Sequence, residues 1–404
     1  MAHHKKEMII MNNDDVVITS AFRTAIGSLN GSLSSKKASE LGSVVIKKCV
    51  KNSALKEREV DMVYMGQVLT AGAGQNPARQ AAILAGLSNE TSNTTVNQVC
   101  GSGLASVALA YNSIKSGDGK IMIAGGQESM TNAPHYINVR KGKKVGETKM
   151  QDSMIIDGLW DAYNQYHMGM TAENIADKFK IRREEQDKFA FASQRKAIEA
   201  IKAQKFLNEI APVKIKVKKK EITYDKDEYP REESTIEKLA ILKPVFKKNG
   251  TVTAGNSSGV NDGAAAVCLM TGEMANKKDI EPLAKIISWA QCGVDPSIMG
   301  TGPIPAIKRA LKKADWNKNE LDLIEANEAF AAQAIAVNKE VGWAIDKVNV
   351  NGGAIALGHP IGASGARILV TLIHEMQKRK IRKGLATLCI GGGMGIAMCI
   401  ERNF

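Results

Sequence analysis

The sequence predicts a layered α/β protein made of two similar halves, with a helix-rich loop domain inserted between them. Three observations predict this class. Strand-like apolar runs alternate with helical patterns near both ends of the 404-residue chain. A glycine-rich helix start followed by a strand occurs once in each of these end regions. The middle of the chain has a higher charge density and long polar helical patterns instead.

The first half is predicted within residues 1–129 and is completed by about residues 260–282. Residues 16–18 and 120–124 have the composition of buried strands, and the second run is expected to end at Gly125 and Gly126. Between them a helix is indicated by apolar residues at helical spacing, namely Leu104, Val107, Ala108 and Tyr111.

The insertion is predicted to span residues 130–259, and the second half residues 283–404. In the first half CGSG at 100–103 precedes a helix, and in the second half GASG at 362–365 does the same. Each helix is followed by a strand that runs into glycines. We interpret this as a duplicated half in which the two helix starts meet at a central site.

Composition excludes several classes of protein. Hydrophobic residues make up 44% of the chain, but no apolar run approaches the ~20 residues of a membrane span. The N-terminal residues do not resemble a signal peptide, and His3 and His4 are expected to lie in a tail, not in a metal site. The six cysteines lack disulfide-like spacing. A cytoplasmic protein without a metal or a membrane partner is therefore expected.

The formal net charge of +13 could attract nucleic acid, an anionic membrane or an acidic small molecule. Lysines are scattered, with local runs only at 141–144 and 214–220, and aromatic residues make up 5% of the chain without interleaving these runs. No nucleic-acid partner is expected, and a basic nucleic-acid-binding protein remains a remote alternative.

Cys100 has the surroundings of a nucleophile. It lies at the predicted start of a helix, where the helix dipole stabilises a thiolate and should lower the thiol pKa, and the glycines around Ser102 leave it uncrowded. The alternative is a small buried cysteine with no chemical role.

Three further residues are candidates for chemistry. His359 lies at the equivalent helix start of the second half, so the duplication would bring it near the thiol as a base, although a lone histidine is more often structural. Cys389 ends a strand before three glycines that would expose backbone N–H groups to a ligand. Asn327 either caps a helix or holds an oxyanion or a water.

Taken together, these segments resemble the thiolase family. Its motifs occur in order between residues 96 and 395, and they are VNQVCGSGL, AGGQESM, HMGMTAEN, TVTAGNSSGVNDGAA, GTGP, NEAFA, NGGAIALGHPIGASGAR and CIGGGMG. The resemblance implies a five-layered αβαβα fold built from the two halves. It also implies that the inserted domain binds coenzyme A.

The resemblance also implies roles for the site residues. Cys100 matches the acyl-accepting nucleophile, and His359 the base that activates it and helps to bind the thioester oxygen. Cys389 matches the acid/base thiol that removes the α-proton of the second acetyl group and protonates the leaving group. Asn327 matches the residue that holds a water in the oxyanion site shared with His359. The N–H groups of Cys100 and Gly391 match a second oxyanion site.

The substrate contacts come from the same resemblance. The pair His167-Met168 is similar to that of short-chain biosynthetic members, and Met299 and Phe330, with Ala329 beside them, resemble the walls of an acetyl-sized pocket. The positions that resemble contacts to pantetheine and adenine are Leu159, His167, Met168, Arg231, Phe246, Ala254, Gly255 and Ser258. For single apolar residues such as Leu159, core packing is an almost equal alternative.

The implied activity is that of an acetyl-CoA C-acetyltransferase, which interconverts two acetyl-CoA with acetoacetyl-CoA and CoA through an acetylated Cys100. The thioesters are substrates, and no cofactor is expected. A homotetramer or dimer is implied, with residues 134–150 as a contact. The enzymatic alternatives are a broader-range 3-ketoacyl-CoA thiolase and a ketoacyl synthase, and the second lacks an equivalent of Cys389.

Overall fold

A computed structural model describes residues 12–402 of the chain. The expectations for His3 and His4 and for the N-terminal leader lie outside the described residues. The strands are β1 Val16–Arg23, β2 Gly27–Ser28, β3 Met62–Gly66, β4 Ser92–Val96, β5 Ile121–Ser129, β6 His135–Tyr136, β7 Gln151–Asp152, β8 Trp160–Asp161, β9 Tyr166–His167, β10 Val213–Val217, β11 Lys220–Tyr224, β12 Asn261–Thr271, β13 Ala284–Gly293, β14 Leu323–Ala326, β15 Lys383–Ile390 and β16 Met394–Glu401. The helices are α1 Ala38–Asn52, α2 Pro77–Leu84, α3 Ser102–Ser116, α4 Met168–Phe179, α5 Arg183–Lys202, α6 Ile236–Ala240, α7 Gly272–Lys277, α8 Pro303–Ala314, α9 Ala331–Val341, α10 Ala354–Leu357 and α11 Ser364–Arg379.

The main sheet runs in the order β14-β15-β16-β13-β1-β12-β5-β3-β4, with β2 paired to β12. Strands β1, β12, β5, β3 and β4 come from the first half, and the other four come from the second. The halves are joined at β1 and β13 by two residue pairs, Val17 with Lys285 and Ile18 with Ala284. Each half is a mixed sheet, because β3 pairs in parallel with β4 and β5, whereas β12 is antiparallel to β5.

Helices and sheets alternate in five layers, as predicted. Helices α3 and α11 contact each other and touch strands of both halves, so they form the middle layer. Helices α1 and α2 cover the outer face of the first half-sheet. Helices α8 and α9 cover the outer face of the second. This arrangement buries both faces of every central strand.

Strand β12 shows how the sequence serves two cores. Its even-numbered side chains, such as Cys268 and Met270, pack under α1, whereas Val267 and Leu269 pack in the middle layer. A strand with two buried faces needs apolar residues at consecutive positions and not an alternating pattern. That is the composition of residues 264–270.

The middle helices start at the same place in the molecule. A side chain at Gly103, the second residue of α3, would meet the backbone N of Ala366 at 2.7 Å. A side chain at Gly365, the second residue of α11, would meet the backbone of Leu104. Because each glycine makes room for the other helix, the two N-termini meet, as the duplication predicts.

Strand β5 corrects one expected boundary. It continues through Gly125 and Gly126 to Ser129, and both glycines keep their pairing with β12. A side chain at Gly126 would collide with the carbonyl oxygen of Gly362. The glycines therefore allow the loop before α11 to approach the strand, and they do not end it.

Residues 130–259 contain α4, α5, α6 and three short two-stranded pairs, β6 with β7, β8 with β9, and β10 with β11. A buried ion-pair network joins this segment to β1. The guanidinium of Arg23 contacts Glu209 at 2.6 Å and Asp227 at 2.7 Å, with all three side chains almost fully buried. Removing one partner would leave an uncompensated buried charge. In the described part of the chain, no helix is long and apolar enough to cross a membrane.

Candidate active site

A cavity of about 350 Å³ opens where the starts of α3 and α11 meet the inserted segment. Cys100, His359 and Gly391 line its inner end. Ten of the predicted substrate contacts line the rest, and they are Leu159, His167, Met168, Arg231, Phe246, Ala254, Ser258, Met299, Ala329 and Phe330. Residues from both halves and from the insertion therefore share one cavity.

Cys100 lies just before α3, after a residue with unusual backbone geometry. Val99 has φ of 47°, in the left-handed region that a β-branched residue rarely adopts. Hydrogen bonds from the N–H groups of Gly391 and of Cys100 itself lower the thiol pKa, but burial outweighs them and raises it to about 11. The expected lowering of the thiol pKa is therefore not found, because burial penalises the thiolate more than these N–H groups stabilise it.

His359 is buried, and its ring is oriented by its second-half neighbours. Its Nδ1 lies 2.6 Å from Oγ of Ser364, and that hydroxyl donates to the carbonyl of Pro360 at 2.9 Å. The hydroxyl therefore accepts a hydrogen bond from Nδ1–H, so that Nε2 carries the lone pair. Burial, with a smaller contribution from Arg367, lowers the pKa of His359 to about 3. The ring is therefore neutral, and its Nε2 has no hydrogen-bond partner.

The backbone of His359 is fixed by the first half. Its N–H donates to Oδ1 of Asn261 at 2.9 Å, and the amide of Asn261 donates to the carbonyl of Gly27 at 3.0 Å. Gly358 before it has φ of 105°, and a side chain there would collide with Asn261. Strand β12 thus holds the loop that carries the imidazole.

Asn327 lies beside the imidazole, with Nδ2 3.5 Å from Nδ1 of His359. Two buried polar atoms here have no hydrogen-bond partner, Oδ1 of Asn327 and Nε2 of His359. Buried polar atoms are normally paired, so two orphans at one site indicate a place for a ligand atom or a water. This observation supports the predicted oxyanion role.

Cys389 lies at the end of β15 and packs with Met168, Met299, Ala329 and Phe330 around the inner end of the cavity. Burial raises the pKa of its thiol, and the nearby Cys100 thiol contributes to the rise. In the next turn Gly392 and Gly393 have φ of 84° and 87°. This turn brings the N–H of Gly391 to Cys100.

Glu128 is a buried carboxylate that the sequence interpretation missed. It accepts hydrogen bonds from the N–H groups of Val68 at 3.0 Å, Leu69 at 3.2 Å and Gly362 at 2.9 Å. Burial, with a smaller contribution from Asp262, raises its pKa to about 7 despite these donors. It joins the first half to the loop that follows His359.

The mouth of the cavity continues into a second pocket of about 250 Å³. Tyr229, Arg231 and Ala254 line both, and Gly255 lines only the outer one. Lys238 adds a second cation there. At the inner side His167 stacks on Phe246 with ring centroids 4.7 Å apart. An apolar channel that ends in cations suits a ligand with an apolar arm and an anionic end.

All sixteen predicted site residues therefore lie in or against these two connected pockets. Sequence reasoning missed Ser364, Asn261, Tyr229, Lys238 and Glu128. Ser364 follows His359 by five residues and could have been found from that spacing. Asn261 is 98 residues from His359, and only the sheet brings it there. Among residues 12–402 no group of three or more His, Cys, Asp or Glu side chains could hold a metal ion.

Comparisons with known proteins match both halves of the chain. Residues 16–273 match the family description "Thiolase, N-terminal domain", and residues 280–402 match "Thiolase, C-terminal domain". The chain is 58% identical over 392 residues to acetyl-CoA acetyltransferase of Rhizobium meliloti (strain 1021), covering 97% of this chain and 100% of that protein. It is 59% identical over 386 residues to acetyl-CoA acetyltransferase of Paracoccus denitrificans, covering 96% and 99%.

Among solved structures, the crystal structure of the Bacillus anthracis acetyl-CoA acetyltransferase superposes with a TM-score of 0.94 at 44% identity. The alignment covers 96% of this chain and 98% of that one. The likeness therefore extends over both halves and the insertion.

Proposed function

Because this chain belongs to the thiolase family, we propose that it is an acetyl-CoA C-acetyltransferase that converts two acetyl-CoA reversibly into acetoacetyl-CoA and CoA. The observation that carries the proposal is the inner end of the cavity, where Cys100, the free Nε2 of His359 and the Gly391 turn meet opposite Cys389. This set supplies a nucleophile, two bases and two places for an oxyanion.

The first half-reaction loads Cys100. Its thiol proton moves to Nε2 of His359, and this creates an ion pair without adding net charge to the buried site. The thiolate attacks the carbonyl of acetyl-CoA, and the N–H groups of Cys100 and Gly391 stabilise the oxyanion. The carbon–sulfur bond to coenzyme A breaks, and the leaving thiolate takes the proton of Cys389. Acetyl-Cys100 and free CoA result.

The second half-reaction forms the carbon–carbon bond. The thiolate of Cys389 removes an α-proton from a second acetyl-CoA, whose enolate oxygen is held by His359 and by a water on Asn327. The enolate carbon attacks acetyl-Cys100, the Cys100 thiolate leaves, and the proton held by His359 returns to it. Because one acetyl group is already bound covalently to Cys100, this step takes place between two positioned groups and does not require two free thioesters to meet.

The coenzyme would occupy the connected pockets. The pantetheine arm fits the channel between Leu159, Met168 and Phe246, and the phosphates fit the outer end beside Arg231 and Lys238. No cofactor or metal takes part in this proposal. The positive charge of the chain would favour the encounter with an anionic coenzyme.

The test is the loss of acetoacetyl-CoA when free CoA is added to the purified protein. We expect full activity in the parent, complete loss in Cys100→Ala, and a loss of at least 100-fold in Cys389→Ala. Cys399→Ala is the matched control, because Cys399 is equally buried on the neighbouring strand but packs in the outer core of the second half. Activity that is unaffected by Cys389→Ala would contradict the mechanism and favour a ketoacyl synthase.

We propose further that the enzyme is a homotetramer or dimer of the cytoplasm. All six cysteines are free thiols, as a reducing compartment would require. The 134–150 segment exposes apolar side chains, with Val145 at 87% and Met150 at 67% exposure, which an interface would cover. Sedimentation equilibrium would count the subunits, and a monomer at micromolar concentration would contradict the proposal.

A further inference from the structure

We propose that Ser102 is a positioning residue for the nucleophile: its hydroxyl holds Val99 in the left-handed conformation that aims the thiol of Cys100. The inference rests on the proposed role of Cys100 as the nucleophile. It concerns a side chain that is fully buried and does not line the substrate cavity.

The hydroxyl of Ser102 closes a ring with the residues before the thiol. It donates to the carbonyl of Val99 at 2.6 Å and accepts from the N–H of Gln98 at 2.8 Å. The N–H of Ser102 also donates to the carbonyl of Val99 at 3.1 Å. The Ser102 side chain therefore binds both the N–H of Gln98 and the carbonyl of Val99. Cys100 is one of the residues enclosed by this hydrogen-bonded ring.

The turn needs this support. Valine is β-branched, and the left-handed region is strained for any residue other than glycine. Apart from the ring, Asn97 helps by accepting the N–H of Val99 on Oδ1 at 3.0 Å. Without the hydrogen bonds of the Ser102 hydroxyl, the backbone strain at Val99 would favour rotation toward negative φ. That rotation would turn the following residue, which is Cys100.

The position of Cys100 is tied to the second half through the same turn. The spot where a side chain on Gly391 would lie is 3.3 Å from Cγ1 of Val99. Gln98 and Gln291 exchange two amide hydrogen bonds of 3.1 and 3.2 Å across the halves. If Val99 relaxed, the thiol would lose its hydrogen bond from the Gly391 N–H. The proposed oxyanion site would be misaligned at the same time.

Ser106 provides a matched control. It lies one turn further along α3, is equally buried, and donates its hydroxyl to the carbonyl of Ser102 at 2.9 Å, within the helix. Its hydroxyl binds no loop group. Ser106→Ala should therefore cost stability comparable to that of Ser102→Ala without moving the thiol.

The experiment compares Ser102→Ala, Ser106→Ala, Val99→Gly and the double variant Ser102→Ala/Val99→Gly. We expect Ser102→Ala to lower kcat by about 10- to 100-fold, because a small misplacement of a reacting group has effects of this size. KM for acetoacetyl-CoA should change less than threefold, and Ser106→Ala should stay within twofold of the parent. Glycine adopts the left-handed conformation without strain, so the Ser102→Ala loss should be at least threefold smaller in the Val99→Gly background.

A second readout does not depend on turnover. Iodoacetamide modification of Cys100, followed by peptide mass spectrometry, should slow in Ser102→Ala in parallel with kcat and should recover in the double variant. A Ser102→Ala protein that matches Ser106→Ala in both readouts would overturn the inference, as would a double variant no better than Ser102→Ala. If the parent protein itself lacked thiolase activity, the proposed function would fail, while the labelling rates would still decide the role of Ser102.

Discussion

At the scale of single residues, the site depends on hydroxyl and amide groups that never touch the substrate. Ser364 sets the tautomer of His359, and Asn261 sets the position of its backbone. Ser102 does the equivalent for Cys100 in our proposal. Each half thus has a serine at the start of its middle helix that supports a candidate reactive side chain, Cys100 in the first half and His359 in the second. Reactivity is determined by these supporting contacts as much as by the thiol and the imidazole.

Met299 should limit the length of the acyl group. It is 2% exposed and packs beside Cys389 and Phe330 at the closed end of the cavity. Met299→Ala should raise kcat/KM for 3-ketohexanoyl-CoA relative to acetoacetyl-CoA by about 10-fold, since two further methylenes can be buried at about 0.8 kcal/mol each. The ratio of the two kcat/KM values is the measurement.

Met270→Ala is the control for this change. Met270 is equally buried but packs under α1, far from the cavity lining. Both variants should lose about 2–5 kcal/mol of stability. If the chain-length ratio is the same in both, Met299 does not set the specificity, and the broader-range alternative gains support.

At the scale of elements, the loop before α11 is held to the first half by few groups. Glu128 at the end of β5 binds its Gly362 N–H together with the N–H groups of Val68 and Leu69. The negative charges and thiols that face this carboxyl are Asp262 and Cys100. Because a buried carboxylate is costly, this contact has a strong dependence on pH.

Glu128→Gln should flatten the pH dependence of stability. The folded protein raises the pKa of Glu128 from 4.5 to about 7, so it binds this proton more tightly than the unfolded chain does. The resulting stabilisation is fully present below pH 4.5 and is lost as pH rises through about 7. Its size is on the order of 3 kcal/mol. Glutamine cannot titrate, so the stability of the parent minus that of the variant should fall over this window.

The measurement is denaturant unfolding of both proteins at several pH values between 4.5 and 7.5. Glu90→Gln, a change at an exposed glutamate of the same half, serves as the control and should follow the parent throughout. Curves for the parent and Glu128→Gln that remain parallel would contradict the assignment.

The same elements show how far the sequence could predict the molecule. The five layers and the meeting of the two helix starts could be predicted, because periodicity and the repeated glycine–serine motif are local signals. Cys100, His359 and Cys389 could be identified as candidates because each is a cysteine or histidine beside a glycine-rich helix start or turn. The rise in the pKa of Cys100 could not be predicted, since it depends on burial by residues from three segments. Partners such as Asn261 and Glu128 were missed because only tertiary packing brings them to the site.

At the scale of the whole molecule, the candidate catalytic residues lie in or against one cavity, and most cysteine thiols are inaccessible to solvent. Cys49, Cys268, Cys389 and Cys399 have no exposed surface, and Cys292 is 9% exposed, as is Cys100. Of these six, only Cys100 lines the cavity with His359. Of the two thiols in the proposed mechanism, Cys100 therefore lines the cavity, whereas Cys389 is buried against residues that line it.

Iodoacetamide at neutral pH should label Cys100 at least 10-fold faster than the other cysteines, and acetyl-CoA should protect it. Cys292 is the internal control, because it is equally exposed but has no imidazole in a shared cavity. Since burial raises the Cys100 pKa to about 11, fast labelling requires proton transfer to the ring, and His359→Ala should slow it. Equal labelling of Cys100 and Cys292 would contradict an activated thiol.

The crossing of α3 and α11 restricts how the two halves can diverge. A side chain at Gly103 or at Gly365 would collide with the backbone of the other helix, so neither position can take a larger residue unless the two helices move apart. Three residues before these glycines the copies already differ, with a thiol side chain at Cys100 and no side chain at Gly362. Two identical copies could thus have diverged by changing the side chains that project from the place where the two helix starts meet, while the glycines at that place stayed the same.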